Sequence, residues 1–265
     1  MELTHVPENI KRLTDGKPYE TDDTGMSGSR VMLFGDCVLK IVKSRKENRE
    51  TIRMMKWLRG KLPVPEVICF EEDEEYQYLL MTRMKGRMAC DAEYLEKPEK
   101  LVRLLAEALR IVWSVDVSDC PRTRDTDAEL REARYRVENG LVDMDNTDPG
   151  TFGEGGFRDP EELLEWLENN RPSSYEPVLS HGDFCLPNIF LEDGRISGFI
   201  DLGFTGAGDM WRDLALCRRS LMCNLDGTYG GKVYPPFDTD LLFRELGIEP
   251  DNKRLRYYAL LDELF

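Results

Sequence analysis

Before residue 84 the chain carries short apolar runs that alternate with polar positions; after it, apolar residues recur three and four apart over longer stretches. Four early runs, Ser29–Phe34, Cys37–Val42, Val67–Phe70 and Tyr76–Met81, read as strands, and one stretch, Lys46–Leu58, reads as a helix. Gly35-Asp36 separates the first two runs at hairpin spacing, which predicts an antiparallel pair. The pattern predicts a small sheet with one helix, residues 1–83, followed by a mainly helical lobe, residues 84–265.

In the second part, Pro98–Val115 places Leu101, Leu104, Leu105, Ala108, Leu109 and Val112 on one face, as a central core helix does. Further helices are predicted over Asp127–Asn139, Pro160–Glu168, Trp211–Met222, Phe237–Leu246 and Lys253–Phe265, with Pro160 suited to a first turn. Residues 143–156 combine acids with glycines and read as a mobile loop. The fold class expected is α+β.

Composition then narrows the function. The chain has 265 residues, enough for a sizeable core, and a formal net charge of −15. Such a surface repels phosphate backbones and anionic lipids, so neither nucleic acid nor membrane is expected as a partner, whereas a cationic small molecule is. Seven scattered cysteines without a C-x-x-C pair suggest neither a disulfide framework nor a zinc site, and fit a reducing cytoplasm. No run of about 18 apolar residues occurs, and the start lacks the apolar core of a signal peptide. With only two histidines, His5 and His181, any metal is expected on oxygen ligands.

The densest chemistry lies in Ser180–Asp201, SHGDFCLPNIFLEDGRISGFID. Asp193-Gly194 is a hairpin turn between the apolar runs Ile189–Leu191 and Ile196–Ile200. Folding the chain there brings Asn188 beside Asp201, and an amide oxygen with a carboxylate suits Mg2+. Asp183 precedes Asn188 by the interval that kinase catalytic loops use, with the acid serving the substrate hydroxyl and the amide the metal. Singly, each of these groups reads as a turn former; together in one window they point to phosphoryl transfer.

These residues resemble a known family. HGDFCLPNIF (181–190) and SGFIDLG (197–203), with GMSGSRV (25–31), VLK (38–40), WLRGKLPVPEV (57–67), DVSDCP (116–121), DMWRDLALCRRS (209–220) and YYALLDELF (257–265), resemble the aminoglycoside phosphotransferases, most closely the 3′-phosphotransferases, or kanamycin kinases. The resemblance implies a bilobal protein-kinase-like fold with ATP, or GTP as the alternative nucleotide, between the lobes and Mg2+ as cofactor. It implies a phosphate loop at Gly25–Ser29 with Ser27 as donor, Lys40 on the α- and β-phosphates, and a hinge around Thr82 and Met84. Phe190 and Ile200 would floor the base pocket, Asn188 and Asp201 would hold metal, and Asp183 would be the catalytic acid residue that also meets the sugar. His181 and Asp213 would brace the loop. The acceptor, a polycation, would meet Asp262, Glu263, the Phe265 carboxylate and the acids Glu154 and Asp159. A monomer or weak dimer is expected.

Four positions depart from the family pattern. Thr51 stands where the helix glutamate that pairs with the strand lysine belongs, leaving Glu50 or Glu47 to reach Lys40. Val38 replaces an aromatic packed on adenine. Phe204 replaces an arginine after SGFIDLG, with Arg219 as a partial substitute at the substrate site, and Cys223-Asn224 replaces an acidic pair. Two other functions compete. A kinase of the same fold could act on choline, a fructosamine, homoserine or a macrolide, against which the LLDELF ending argues; a degenerate nucleotide-binding relative would not retain Lys40, Asp183, Asn188 and Asp201. The lack of HRD, DFG and APE sequences argues against a protein kinase.

Overall fold

The computed structural model describes residues 6–22, 29–172 and 175–265. The chain opens with α1 (Glu8–Thr14), β1 (Tyr19–Asp22), β2 (Arg30–Phe34) and β3 (Cys37–Lys43), then α2 (Lys46–Leu58), β4 (Val67–Glu72) and β5 (Tyr76–Thr82). The five strands form one antiparallel sheet in the order β1-β2-β3-β5-β4. Leu33 faces Val38 across the Gly35-Asp36 turn, so the expected hairpin forms, and α2 has the expected bounds. Two elements, α1 and β1, were not anticipated. Their pattern is too polar: α1 buries only Ile10 and Thr14, and Tyr19 on the edge strand β1 is exposed.

The apolar residues divide into two clusters. Val6, Ile10, Met32, Phe34, Cys37, Leu39, Tyr78 and Leu80 form a small core on the sheet. The buried face of α2 (Met54, Met55, Leu58) joins the large core built by the rest of the chain, as do Leu62 and Val64. Helix α2 therefore lies between the sheet and the second lobe instead of belonging wholly to the first.

The second lobe begins with β6 (Arg87–Met88), α3 (Ala92–Leu95) and α4 (Pro98–Trp113). All six residues assigned from spacing to the apolar face of α4 are buried, and Val102 and Ala106 are buried too, which makes it the central helix. Then come β7 (Thr123–Arg124), α5 (Thr126–Glu138), α6 (Pro160–Asn169), β8 (Val178–Ser180), β9 (Ile189–Glu192), β10 (Arg195–Phe199), β11 (Gly206–Gly208), α7 (Met210–Leu225), α8 (Leu241–Leu246) and α9 (Asn252–Asp262). Helix α8 starts four residues later than expected because the Asp238 carboxylate accepts from Asp240 N–H at 2.9 Å, a local turn that competes with helix. Residues 143–156 are tied down at Asp148, whose N–H donates to Glu263, and by Phe157 N–H bonding to Thr151.

The β9–β10 hairpin turns where expected. Glu192 faces Arg195, and Asp193 (φ 51°) with Gly194 (φ 75°) both take the left-handed conformation that a two-residue turn of this hand requires. Strands β10, β9 and β6 form one three-stranded sheet, and β7, β11 and β8 another. Among the described residues no helix is long and apolar enough to cross a membrane.

Candidate active site

From β8 the chain passes through residues 181–185 into the tight turn Leu186–Asn188 that leads to β9. This loop is held from beneath by Asp213 of α7, which is fully buried and accepts from Ser180 Oγ (2.9 Å), His181 N (3.2 Å), Gly182 N (3.0 Å) and Trp113 Nε1 (3.1 Å). His181 is a brace as well: Asp183 N–H donates to its Nδ1, so Nε2 carries the hydrogen given to the Ile200 carbonyl at 2.9 Å. Gly182 sits at φ +80°, and a Cβ there would lie 2.3 Å from the Phe204 carbonyl oxygen, so the loop approaches the 202–204 turn too closely for any side chain.

Asp183 projects from this loop with Asn188 beside it. The Asn188 amide donates both hydrogens to Asp183, one to its carbonyl (3.0 Å) and one to Oδ2 (2.8 Å). That bond pair orients the carboxylate and leaves the amide oxygen as the free polar end of Asn188. Burial raises the Asp183 pKa, the Asp262 charge adds to this, and His181 opposes it. The result is a more basic carboxylate, suited to accepting a hydroxyl proton.

The hairpin returns Ile200 N–H to the Asn188 carbonyl at 2.9 Å, which sets Asp201 next to Asn188. Asp201 has φ 57° and ψ 66°, a conformation a non-glycine residue occupies at a cost of about 1–3 kcal/mol, so the surrounding structure must hold it there. Its Oδ1 stands 3.7 Å from Lys40 Nζ of β3, the one ion pair that joins the sheet's central strand to this hairpin among those described. Among the described residues no three His, Cys, Asp or Glu groups cluster as a metal site. The donor set is one carboxylate and one amide oxygen. That set fits Mg2+, which keeps waters and phosphate oxygens in its shell, and does not fit zinc.

Thr82 ends β5 and is tied to Glu66 through both its N–H (3.0 Å) and its Oγ1 (2.9 Å). Thr82 and Met84 line a cavity of about 820 Å3 at the lobe junction with Pro63, Val64 and Ile196. Lys40, Phe190 and Ile200 do not line it; Phe190 lies on β9 opposite Gly198, and Ile200 follows β10. Gly198 marks a close approach, since a Cβ there would fall 1.9 Å from Met84 Cε and 2.9 Å from the Pro63 carbonyl oxygen. Gly198→Ala is expected to displace Met84; if Thr82 and Met84 form the hinge that the resemblance implies, the ATP KM rises about tenfold with kcat nearly unchanged, as loss of uniform binding does, which steady-state kinetics at varied ATP checks.

Two expectations on this side need correction. Glu50 does not pair with Lys40: it lies 3.9 Å from Lys46 and 3.7 Å from Arg122, while Lys40 faces Asp201. Arg219 is not free to replace the charge missing at Phe204, because it binds Asp148 (3.4 Å), Glu263 (3.1 Å) and Asp262. Ser27 lies outside the described residues.

On the acceptor side the structure gathers Asp262 and Glu263, at the end of α9, with Asp148, which the sequence reading did not single out. Arg212, buried in α7, donates to the Gly182 carbonyl at 2.7 Å and pairs with Glu129 at 3.2 Å and Asp262 at 3.3 Å, so the same cation ties the 181–185 loop to the end of α9. Asp148, Asp183, Asp262 and Glu263 are thus four carboxylates around two guanidiniums, Arg212 and Arg219, a site with surplus negative charge. Burial, with the Asp148 and Asp262 charges adding to it, raises the Glu263 pKa to about 7 against the Asp148 N–H and Arg219 that bind it. A carboxyl raised on folding stabilises the fold below its unfolded value, near 4.5, and that contribution is lost as pH climbs through about 7. Glu263→Gln is therefore expected to flatten the fall in unfolding free energy between pH 5 and 8, measured by urea titration.

Glu154 and Asp159 are not part of this cluster. Glu154 is exposed in the 153–156 turn. Asp159 caps α6, accepting from Glu162 N at 2.9 Å, and pairs with Arg158. Phe265 has a terminal oxygen bonded by Arg136, and its ring meets Phe204 edge-on at 5.6 Å. Arg136, Asp148 and Arg122 carried no periodic or motif signal, and Arg212, though inside the DMWRDLALCRRS stretch, was not singled out; each acts through a partner far away in sequence.

With this geometry in view, the relatives are informative. The profile of the phosphotransferase enzyme family matches residues 25–242. The chain is 39% identical to an aminoglycoside 3′-phosphotransferase of Enterococcus faecalis and 38% identical to one of Staphylococcus aureus, in both cases over the whole of each chain. Among solved structures it superimposes on a type VIII aminoglycoside 3′-phosphotransferase with a TM-score of 0.80 at 26% identity over 97% of each chain. A Streptomyces rimosus aminoglycoside phosphotransferase in complex with ADP and streptomycin shares the fold, with a TM-score of 0.79 at 24% identity, covering 100% of this chain and 98% of that one. The bilobal kinase-like fold, the Asp183–Asn188–Asp201 hairpin and the full-length identities lead to one conclusion: this chain belongs to the aminoglycoside phosphotransferase family, in its 3′-phosphotransferase branch.

Proposed function

We propose that this protein transfers the γ-phosphate of ATP to the 3′-hydroxyl of a cationic aminoglycoside such as kanamycin, and so confers resistance. The observation that supports the reading is the approach of Lys40 of β3 to Asp201, with Asp201 set by the β9–β10 hairpin next to the Asn188–Asp183 pair: a cation for phosphate, oxygen donors for a metal and a base in one neighbourhood.

Residues 1–83 carry the nucleotide-binding sheet and phosphate loop, and residues 84–265 the catalytic loop, the metal site and the acidic acceptor site. The Thr82–Met84 backbone takes the adenine edge, Phe190 and Ile200 floor the base, and Ser27, outside the described residues, is a donor to the phosphates. Lys40 leaves Asp201 to pair with the α- and β-phosphates. Asn188 and Asp201 hold Mg2+, which supplies charge neutralisation on the phosphates when bound. Asp183, oriented by Asn188, accepts the hydroxyl hydrogen as the oxygen attacks; because a loose phosphoryl transition state needs little covalent help, positioning dominates. Asp262, Glu263 and Asp148 receive ammonium groups, sharing them with Arg219. An enzyme acting on an internal antibiotic is at work in the cytoplasm.

Coupled ADP release with Mg-ATP tests this. Turnover is expected with kanamycin and not with tobramycin, which lacks the 3′-hydroxyl. Equal turnover with both moves the reaction to another hydroxyl, and turnover with neither removes the aminoglycoside.

A further inference from the structure

The loop that carries Asp201 is fastened from an unexpected side. Arg122, just before β7, donates from Nη1 to the Gly203 carbonyl at 2.7 Å and to the Thr205 carbonyl at 3.5 Å, and its own carbonyl accepts from Ala207 N–H at 2.9 Å. The guanidinium is only 11% exposed, and its Nη2 lies 3.7 Å from Glu50 of α2. Gly206 lets the two backbones approach: a Cβ there would fall 2.9 Å from the Arg122 carbonyl oxygen and 2.6 Å from Arg124 Cγ. The same helix packs against the 202–204 turn and sinks Met54, Met55 and Leu58 into the large core.

We propose that Arg122 is a positioning residue for phosphoryl transfer, a strut from Glu50 of α2 to the Gly203 and Thr205 carbonyls that holds Asp201 in its left-handed conformation opposite Lys40. Three observations converge on it. Asp201 is strained and needs external restraint. Lys40 makes no pair with Glu50 or Glu47, so α2 is not oriented through the lysine. A cation buried in this loop also needs a counter-charge, which α2 supplies across the lobe junction: burial and the neighbouring Arg124 lower the Arg122 pKa, and Glu50, Glu132 and Glu47 oppose that. Glu50 thus serves the metal loop from the far side instead of serving the nucleotide lysine.

This inference rests on the function proposed above, but two of its three readouts need no acceptor. Arg122→Gln, Arg122→Lys and Glu50→Gln are compared with the wild-type chain by hydrogen exchange of residues 202–207 without metal, by the Mg2+ dependence of ADP affinity, and by kinetics. Arg122→Gln is expected to speed exchange and to lower kcat, each about tenfold, and to raise the Mg2+ needed for half-maximal ADP affinity several-fold, with the acceptor KM within about twofold. Arg122→Lys recovers part of each effect, because it can still reach Gly203 and Glu50. Glu50→Gln, an exposed change that leaves the core intact, shows a weaker form of the same pattern and serves if Arg122→Gln does not fold. Exchange and Mg2+ dependence within about twofold of wild type in a folded Arg122→Gln chain would overturn the strut, whatever the acceptor proves to be.

Discussion

Changing Asp183 to Asn is expected to reduce acceptor-dependent ADP release by about 10²–10⁴-fold while leaving Mg-nucleotide affinity within about twofold. The asymmetry follows from what the carboxylate touches. Asp183 bonds Asn188 and lies among the acceptor-side charges, whereas Lys40 and Asp201 stand across the hairpin on the nucleotide side. The asparagine keeps the shape and can still present its oxygen to the Asn188 amide, so the loop should not move; what disappears is the basic oxygen that takes the hydroxyl proton. Kinetics with kanamycin and calorimetry with Mg-ADP on the same preparation separate the two effects. A variant with wild-type turnover would remove Asp183 from the chemistry.

The largest expected loss of stability comes from Asp213→Ala. Its carboxylate collects four donors, three of them from the catalytic loop and the strand before it, in a fully buried position. Burial raises its pKa, and the Gly182 bond, His181 and the remaining donors oppose that rise. Truncation leaves those donors without partners, at roughly 1–3 kcal/mol for each buried group that water cannot reach, so the loss should exceed about 3 kcal/mol. Against a total of about 5–15 kcal/mol for a domain, that is a large share. Urea unfolding followed by intrinsic fluorescence measures it. Asp213→Asn, which keeps one good acceptor, should fall between the two, and an alanine variant within about 0.5 kcal/mol of wild type would show that the loop does not depend on this brace.

These two residues also show which parts of the molecule could be read from the sequence. Asp183, Asn188 and Asp201 lie within one short window, and a two-residue Asp-Gly turn fixes their geometry, so local chemistry sufficed. Helix α2 was legible to the residue because Ile52, Met55 and Leu58 keep a clean spacing. Helix α1 and strand β1 were not, since one buried isoleucine and a polar edge strand give no period to detect. Asp159 was assigned to the acceptor although Asp-Pro-Glu-Glu is a helix-start pattern, with the acid three residues before Glu162. The Glu50 expectation failed for a different reason. Spacing along α2 says which residues share a face but not which lobe that face meets, and here the partner is an arginine some seventy positions away. Buried arginines such as Arg212 and Arg122 are invisible to pattern reading, because their value lies in carbonyls and carboxylates brought together only by the fold.

The net charge of −15 is not spread evenly, and part of it is concentrated around Arg219. Arg219 pairs with Asp148, Asp262 and Glu263, and Arg212 shares only Asp262 with it, so carboxylates outnumber cations there even before Asp183 is counted.

The most direct measurement is the position of the transferred phosphate. Kanamycin incubated with the protein and Mg-ATP is examined by phosphorus–proton correlation NMR. A single product with phosphorus coupled to the 3′ proton is the expected result; phosphorus on any other hydroxyl, or unmodified kanamycin after prolonged incubation, would contradict the function proposed here.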